Sequence, residues 1–564
     1  MRISKLVTKT GQQIELGGVS ILVGANNVGK SQTLIDIKNR MVIGLASKPI
    51  IFKEIQFEKP ENLETLFNGL ILKDHPTSVG LQMISGINSD LTGGENLNIN
   101  KAHIEQQFNT NQDINFLLGT ISKLRLSFLD ASSRLSLAKT TKSINPHTDI
   151  PEHILHKLLQ DQLTERELAK AFKKAFQMSI KFDDSGYKDF CLRVAKQFKN
   201  IPDKTRDAFP IMSKYNKLDN QGDGFKSFVG IVLSLLFSKD KIILLDEPEA
   251  FLHPAQAKFL GKWIADQSIH FSGQIVISTH NSNFLSGVLA SNNKISIYRI
   301  NREENKTVFN LLPPTAIEKL TKSPILSSQR VLESIFHKGV VVCEADTDRT
   351  IYQTVVQKEF GNQNILFIHS HNKQTLKDVV HLLVDAKIPV GAIADIDLLN
   401  SEKNFKELVE ALIGKSISKK LLAKREKIDN SVKNQDDNEI LNLLKTDVRE
   451  FLDQLSKDEH SLDGAKGALN RIRKAATKWA IQKEKGIEGF EKDIQVVVNR
   501  FIGMLKTKRL FIVPVGELEK WIPLDVKKNK WVIPALEEIY NGNAPEKLKD
   551  FIRMILNKMG ENVS

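Results

Sequence analysis

The chain opens on two short segments of alternating apolar and polar positions, Ile3-Ser-Lys-Leu-Val and Gln13-Ile-Glu-Leu, separated by Thr10-Gly11. Period-two alternation around a turn predicts paired strands. A continuous apolar run, Val19-Ser-Ile-Leu-Val, follows and ends in a Gly/Asn-rich turn, after which Ser31 to Met41 repeats with a helical period. Between about 90 and 215 the pattern changes. Thr92-Gly-Gly-Glu-Asn and Asn109-Thr-Asn-Gln-Asp read as loops, Thr164 and Glu167 have the spacing of a capping box, and Leu168, Phe172 and Phe176 line one helix face. A mainly helical insertion is expected there. Strand-like runs return at Lys241-Ile-Ile-Leu-Leu and Gln274-Ile-Val-Ile-Ser with helices between them, an α/β pattern.

A polar stretch from Pro313 to Ser328 separates this from a fresh α/β series. Its strands are Gly339-Val-Val-Val-Cys, Ile365-Leu-Phe-Ile and Pro389-Val-Gly-Ala-Ile-Ala, with a helix from Thr375 to Ala386. From Ser401 to about Met504 the chain is charged, Lys-rich and helical in period; Leu510-Phe-Ile-Val-Pro is a last strand before a short helical tail. The expected division is residues 1–325 with a helical insertion at about 90–215, residues 326–530 with a helical insertion at about 401–504, and a C-terminal helical tail, 531–564. No internal repeat is visible.

Composition narrows the class. Among 564 residues, 80 Lys+Arg against 67 Asp+Glu give a net charge of +13, while 41% hydrophobic and 26% charged residues exclude wholesale disorder. The excess of positive charge is compatible with nucleic acid and does not establish it. Two cysteines, Cys191 and Cys343, cannot build a disulfide framework or a cysteine-rich zinc site. Met1-Arg-Ile-Ser-Lys lacks a signal-peptide core, and the longest apolar stretch, Phe228 to Phe237, is too short to span a bilayer. A cytoplasmic protein with no membrane partner is expected.

Gly24-Ala-Asn26-Asn27-Val-Gly29-Lys30-Ser31-Gln32 contains G-x-x-x-x-G-K-[ST] between a strand and a helix. The glycines let backbone amides wrap phosphates, Lys30 neutralises their outer oxygens, and Ser31 ligates Mg²⁺. The helix beginning at the loop adds its positive dipole end. Asp246 and Glu247, in Leu244-Leu-Asp-Glu-Pro-Glu249, supply a carboxylate for Mg²⁺ and one to orient or deprotonate water. His280, after the next strand, is placed to sense the γ-phosphate. Together these elements resemble the ATP-binding-cassette (ABC) ATPases, especially the branch with structural-maintenance and RecF-like DNA proteins. That resemblance implies ATP as cofactor and a signature loop acting across a dimer. Gln221-Gly222-Asp223-Gly224-Phe-Lys226 resembles that loop with Gln221 replacing the usual Ser, and Glu249-Ala-Phe-Leu-His253-Pro254 resembles the loop that meets the opposite subunit.

A second acidic constellation follows. Glu344, Asp346 and Asp348 come at the end of one buried strand, and Asp395 and Asp397 at the end of another. Carboxylates at strand ends of one parallel sheet converge on its carboxyl edge, and an oxygen-only set suits Mg²⁺ or Mn²⁺. Such clusters serve phosphoryl transfer. The spacing resembles the Toprim domain of topoisomerases, primases and nucleases, with Ala345 where Gly usually follows the Glu. Glu344 and Asp348, four apart, resemble the pairing of the nuclease branch; Lys373 matches its basic residue, and Glu517 and Glu519 resemble its extra acidic motif, Glu519 the better match. His369 and His371 read as loop residues near the site. Arg471-Ile-Arg473-Lys474 and Lys506-Thr-Lys508-Arg509 fit either phosphate contacts or a solvated basic helix face.

An ABC-type ATPase domain with a helical dimerisation insertion, followed by a Toprim (Rossmann-like) domain with its own helical insertion, resembles the overcoming-lysogenization-defect (OLD) family of nucleases. That family includes the nuclease subunit of Gabija-type anti-phage systems and effectors encoded beside some retrons. The resemblance implies an ATP-regulated, Mg²⁺- or Mn²⁺-dependent DNA endonuclease acting in antiviral defence. It also implies homodimers or higher homo-oligomers, and a partner protein or retron nucleic acid. Glu344, Asp348, Asp395, Asp397 and Glu519 would hold metal, with Glu517 beside them and Lys373 offsetting phosphate charge. Three other readings stay open. One is a RecF- or SMC-like repair or scaffold ATPase with a non-catalytic Toprim module. The second is a topoisomerase, which needs one of Tyr187, Tyr215, Tyr298, Tyr352 or Tyr540 as nucleophile. The third is a primase, for which no cysteine cluster exists.

Overall fold

The computed structural model describes residues 1–75, 77–87, 94–147, 149, 151–238, 240–291, 293–303, 306–322, 329–361, 364–370, 373–434, 437–456, 461–475, 478–526, 530–561 and 563. The chain forms two compact units, Met1–Phe336 and His337–Ser564.

The first unit is built on a six-stranded sheet. Five strands run parallel, and the edge strand Lys306–Leu311 pairs antiparallel with Ser296–Glu303. Val19–Val23 lies centrally, flanked by Ser296–Glu303 and Gln274–Thr279; beyond the latter come Ile242–Asp246 and Leu126–Leu129. Val19–Val23 and Gln274–Thr279 are buried throughout, as strands covered on both faces must be. The helix Lys30–Ile43 seats Leu34, Ile37 and Met41 on one face of this sheet, where they join Leu22, Phe52, Ile300 and Phe309. The opening strand Arg2–Thr8 belongs to a separate three-stranded antiparallel sheet with Gln13–Ile14 and Phe52–Glu58. Gln274 joins the two sheets: its buried amide accepts from Ile3 N (2.8 Å) and donates to Ile3 O (3.1 Å).

The segment 90–215 is mixed rather than mainly helical. It contributes Leu126–Leu129 to the central sheet and three strands, Thr141–Lys142, Ser179–Asp183 and Asp189–Ala195, to a further antiparallel sheet. The four-residue strand Leu-Ser-Phe-Leu, between polar stretches, is too short for its period to stand out. The expected helix is present as Gln162–Phe176, but Asp161 caps it: its carboxylate accepts from Thr164 N (2.9 Å) and Thr164 Oγ1 (2.8 Å). Asp161 and Thr164 can both cap, and the upstream residue wins because the helix begins at Gln162. Leu168 and Phe172 are buried as the period predicts, and Phe172 and Phe176 pack on Phe225 and Phe228 of the helix Asp223–Phe237.

The second unit has a four-stranded parallel sheet in the order Ile365–His369, Gly339–Cys343, Val390–Ala394, Leu510–Ile512. All four are runs read from the sequence. Residues 401–504 form successive helices, Glu402–Ile413, Lys419–Lys433, Asp437–Ser456, Leu462–Ala475, Ala480–Lys485 and Lys492–Lys506. The tail is not peripheral: Trp531, Ala535, Leu548, Ile552 and Ile555 pack with Val341, Tyr352 and Phe367 in one core. The division at Phe336 rather than 325 also has a cause. Val331, Leu332 and Ile335 are buried, and Arg299 Nε of the first unit donates to Ile335 O (3.1 Å). Cys191 and Cys343 are both buried free thiols. No helix among the described residues is long and apolar enough to cross a membrane.

Candidate functional site

The first site forms where the central sheet meets the helix Lys30–Ile43. Gly24 has φ 151° and Gly29 φ 106°, and a Cβ at Gly24 would meet Ile300 O at 2.4 Å, so backbone conformation and space both require glycine. Lys30 curls back on its loop, donating to Gly24 O (2.9 Å) and Ala25 O (2.7 Å). Burial lowers its pKa, against the raising influence of Glu247, Asp246 and Glu249. Ser31 Oγ donates to Asp246 Oδ1 at 2.9 Å, and Ser278 Oγ donates to the same oxygen. These oxygens, brought together from three separate stretches of chain, are hard donors that fit one Mg²⁺.

Glu247 stands beyond them in the left-handed region, φ 47°, with its amide bonded to Ser278 O (2.9 Å). Its carboxylate meets His280 Nδ1 at 2.8 Å. That hydrogen bond holds the Glu247 carboxyl below its ordinary pKa and raises the imidazole's. Glu249 is 5% exposed and braces the arrangement from below, accepting from Thr279 Oγ1 (2.8 Å) and His280 N (3.3 Å); burial raises its pKa. Arg134, fully buried, donates to the carbonyls of Leu129, Asp246 and Glu247 and to Ser227 Oγ. It thereby ties the acidic strand end to the helix Asp223–Phe237. Sequence reading missed the roles of Arg134, Ser278 and Glu249: their partners are distant in sequence, and no spacing rule links them.

A cleft of about 1020 Å³ opens over this group, lined by Asn26 to Gln32, Glu247 and His280 together with Lys9, Arg302 and Lys306. Gln32 borders it while bonding Asp36 (2.8 Å). Gly222 and Gly224 do not line it. Gly222 caps the helix Asp223–Phe237, and Gly224 packs against Phe251, whose carbonyl oxygen would lie 2.6 Å from a Cβ.

The second group follows from strand register. Cys343 is level with His369, Val342 with Ala392, and Ala394 with Ile512, so all four strands end at one edge. Glu344 and Asp395 leave adjacent strands there, and Glu344 Oε1 accepts from Asp395 N at 3.4 Å. Asp348 reaches back to cap its own helix, accepting from Ala345 N (2.9 Å). Asp346 pairs with Arg349 (2.7 Å) and His369 (3.1 Å). Asp397 Oδ2 lies 3.5 Å from Lys483 Nζ. The loop carrying Glu517 and Glu519 is held alongside, Ile396 N donating to Gly516 O (3.3 Å). Lys373 opens the helix Lys373–Asp385; its side chain, like His371, lies outside the described residues. Among the described residues no three His, Cys, Asp or Glu side chains close into a group able to hold a metal ion. The donor set at the edge is nonetheless oxygen-based, which fits Mg²⁺ or Mn²⁺ and not zinc.

Tyr352 sits near these acids. Burial, then the charges of Asp348 and Asp395 among its neighbours, raises its phenol well above the ordinary range. It is 1% exposed and accepts from Trp521 Nε1 (3.2 Å), which makes it unsuited to attack DNA.

Residues 96–286 match a family described as "AAA domain, putative AbiEii toxin, Type IV TA system". Endonuclease GajA of Bacillus cereus (strain HuB5-5) is 24% identical over 279 residues, 43% of this chain and 40% of that protein. Old nuclease of Escherichia phage P2 is 26% identical over 171 residues, 28% of each. The matched stretches thus span less than half of either nuclease. The SMC head domain from Thermotoga maritima overlays at 15% identity and a TM-score of 0.29, covering 56% of this chain and all of that one. The chain is mixed α/β, carries an ATP-binding ATPase domain in its first unit, and has low-identity relatives among nucleases.

Proposed function

We propose that this protein is an ATP-regulated, metal-dependent DNA endonuclease of the OLD type, with an ABC-type ATPase and a Toprim domain, working as a homodimer in anti-phage defence. The observation that carries the reading is the placement of Glu344, Asp395 and the Gly516–Glu519 loop at the shared carboxyl edge of a four-stranded parallel sheet. The nuclease relatives support it. Glu344, Asp348, Asp395, Asp397, Glu517 and Glu519 would hold Mg²⁺ or Mn²⁺. When bound, such a cation supplies charge neutralisation at a phosphodiester and lowers the pKa of water.

The chain's own residues do the rest. Glu344 and Asp395 stay close through the Asp395 amide, which fixes one carboxylate against the other strand's end. The positive side chain of Lys373 offsets charge on the scissile phosphate. In the first unit the Gly24–Gly29 loop and Lys30 cradle the phosphates, and Ser31 and Asp246 hold Mg²⁺. Glu247, kept anionic by His280, accepts a proton from the attacking water, and His280 meets the γ-phosphate. Gly222 and Gly224 reach the partner protomer's nucleotide, so that nucleotide state restrains or licenses cleavage.

Two observations favour a second reading, a repair or scaffold ATPase with a non-catalytic Toprim module: Lys483 already faces Asp397, and Asp348 caps a helix. Site variants decide. Glu344→Ala and Asp395→Ala are expected to abolish metal-dependent DNA cleavage with ATP binding intact. Cleavage retained in either would move the active site elsewhere.

A further inference from the structure

The helices between the third and fourth strands of the second unit are tied to the acidic edge by polar contacts, the innermost of them buried. Arg425 and Asp429 lie one turn apart on the helix Lys419–Lys433 and are 3% and 2% exposed. Arg425 donates from Nε to Leu399 O and from Nη2 to Asn400 O, both at 2.8 Å, and Nη2 also meets Asp429 Oδ2 at 2.7 Å. Leu399 and Asn400 close the turn Ile396–Asn400, which starts directly after Asp395 and contains Asp397. Asp429 also accepts from Lys433 (2.8 Å) and from the indole N–H of buried Trp479 (3.1 Å). Trp479 leads into the helix Ala480–Lys485, where Lys483 faces Asp397. Two branches of one network therefore reach the same turn, one through its carbonyls and the other through its carboxylate.

Core packing alone does not call for this arrangement. A buried ion pair is costly to desolvate, and apolar residues of similar volume commonly stabilise a core as well or better. A satisfied polar network instead fixes one geometry. Only the planar, forked guanidinium can span two successive carbonyls and a carboxylate at once.

We propose that the helical insertion is a positioning element for the second acidic motif: Arg425, held by Asp429, sets the turn that presents Asp395 and Asp397. The inference rests on the reading of that edge as the metal-binding nuclease site. Arg425 is buried against the turn and acts through it, as residues behind a ligand shell do.

Mn²⁺ titration of the full-length protein tests this, with Arg425→Lys and Trp479→Phe beside the unaltered chain, and with Asp246→Ala as the background that removes the cation site of the first unit. Arg425→Lys keeps the charge and loses the fork. Its Mn²⁺ affinity is expected to fall about 10–100-fold, the range seen when such support is removed. Cleavage should recover at saturating Mn²⁺, and ATP binding should not change. Trp479→Phe removes one donor to Asp429 and keeps a ring in place, so a smaller loss in the same direction is expected. Unchanged Mn²⁺ affinity in a folded Arg425→Lys overturns the proposal, and Trp479→Phe takes that role if the first variant does not fold. An Asp246→Ala background that binds no Mn²⁺ contradicts the nuclease reading instead. Hydrogen exchange over 396–400 then reads positioning by itself: faster exchange in either folded variant supports Arg425's role, and unchanged exchange overturns it.

Discussion

Glu247 and His280 form an ion pair in the first unit, its two atoms 2.8 Å apart. The hydrogen bond favours the charged form of each partner, lowering the pKa of Glu247 and raising that of His280. For His280 the stabilisation is full below the ordinary imidazole value, about 6.5, and is lost as pH rises through the raised one. For Glu247 it is present above the ordinary carboxylate value and is lost as pH falls through the lowered one. An NMR titration of the nucleotide-free protein should place the His280 midpoint above that of an unstructured histidine, and Glu247→Gln should bring it down. A midpoint indifferent to that substitution contradicts the pairing. Lys30 and Ser31 were legible in the sequence because one spacing rule covers a local loop, and Asp246 and Glu247 because they stand at the end of an apolar strand, Asp246 lying 215 residues beyond Ser31. Arg134 was not: it lies 112 and 113 residues from the two acidic positions whose carbonyls it binds.

Among the elements, those with long periods were legible and those set by a single cap or a short strand were not. Val19–Val23 and Gly339–Cys343 have the bounds their apolar runs predict, because strands buried on both faces read as nearly continuous apolar runs, broken here only by the small, buried Ser20. The strand Leu126–Leu129 depends on a distant partner, Ile242–Asp246, that the local pattern does not contain, and the helix start was ambiguous because Asp161 and Thr164 can both cap. The loop bearing Glu517 and Glu519 shows how tightly an element can be specified. Gly516 has φ 103°, and a Cβ there would lie 2.2 Å from Lys483 O. Neither backbone can yield cheaply, so Gly516→Ala is expected to destabilise the second unit by about 1–3 kcal/mol from conformational strain alone, before the clash is counted. Chemical denaturation followed by the second unit's tryptophans, Trp479, Trp521 and Trp531, would show it. An unshifted midpoint would contradict this close approach.

At the scale of the molecule, two units have separate cores, and each carries one group of acidic residues at strand ends. The sequence displays the order of these units, because each begins on its own strand–loop–helix pattern. It does not display that residues 531–564 complete the second core, since an amphipathic tail helix reads the same whether it packs at home or elsewhere. Ile552, fully buried on the helix Glu546–Lys558, makes the point testable. Ile552→Ala should cost about 2–5 kcal/mol, lowering the melting of the second unit and leaving ATP binding by the first unchanged. Loss of ATP binding in that variant would mean the units do not fold independently.

If the acidic edge of the second unit cuts DNA under the control of nucleotide bound in the first, a plasmid assay shows it. Incubating the purified chain with supercoiled plasmid and Mg²⁺ or Mn²⁺, with and without ATP, beside Asp395→Ala and Lys30→Ala, tests it most directly. Nicking or linearisation that requires both the metal and Asp395 is expected, with an ATP effect that disappears in Lys30→Ala. Cleavage surviving in Asp395→Ala, or no cleavage under any combination of metal and nucleotide, would contradict it.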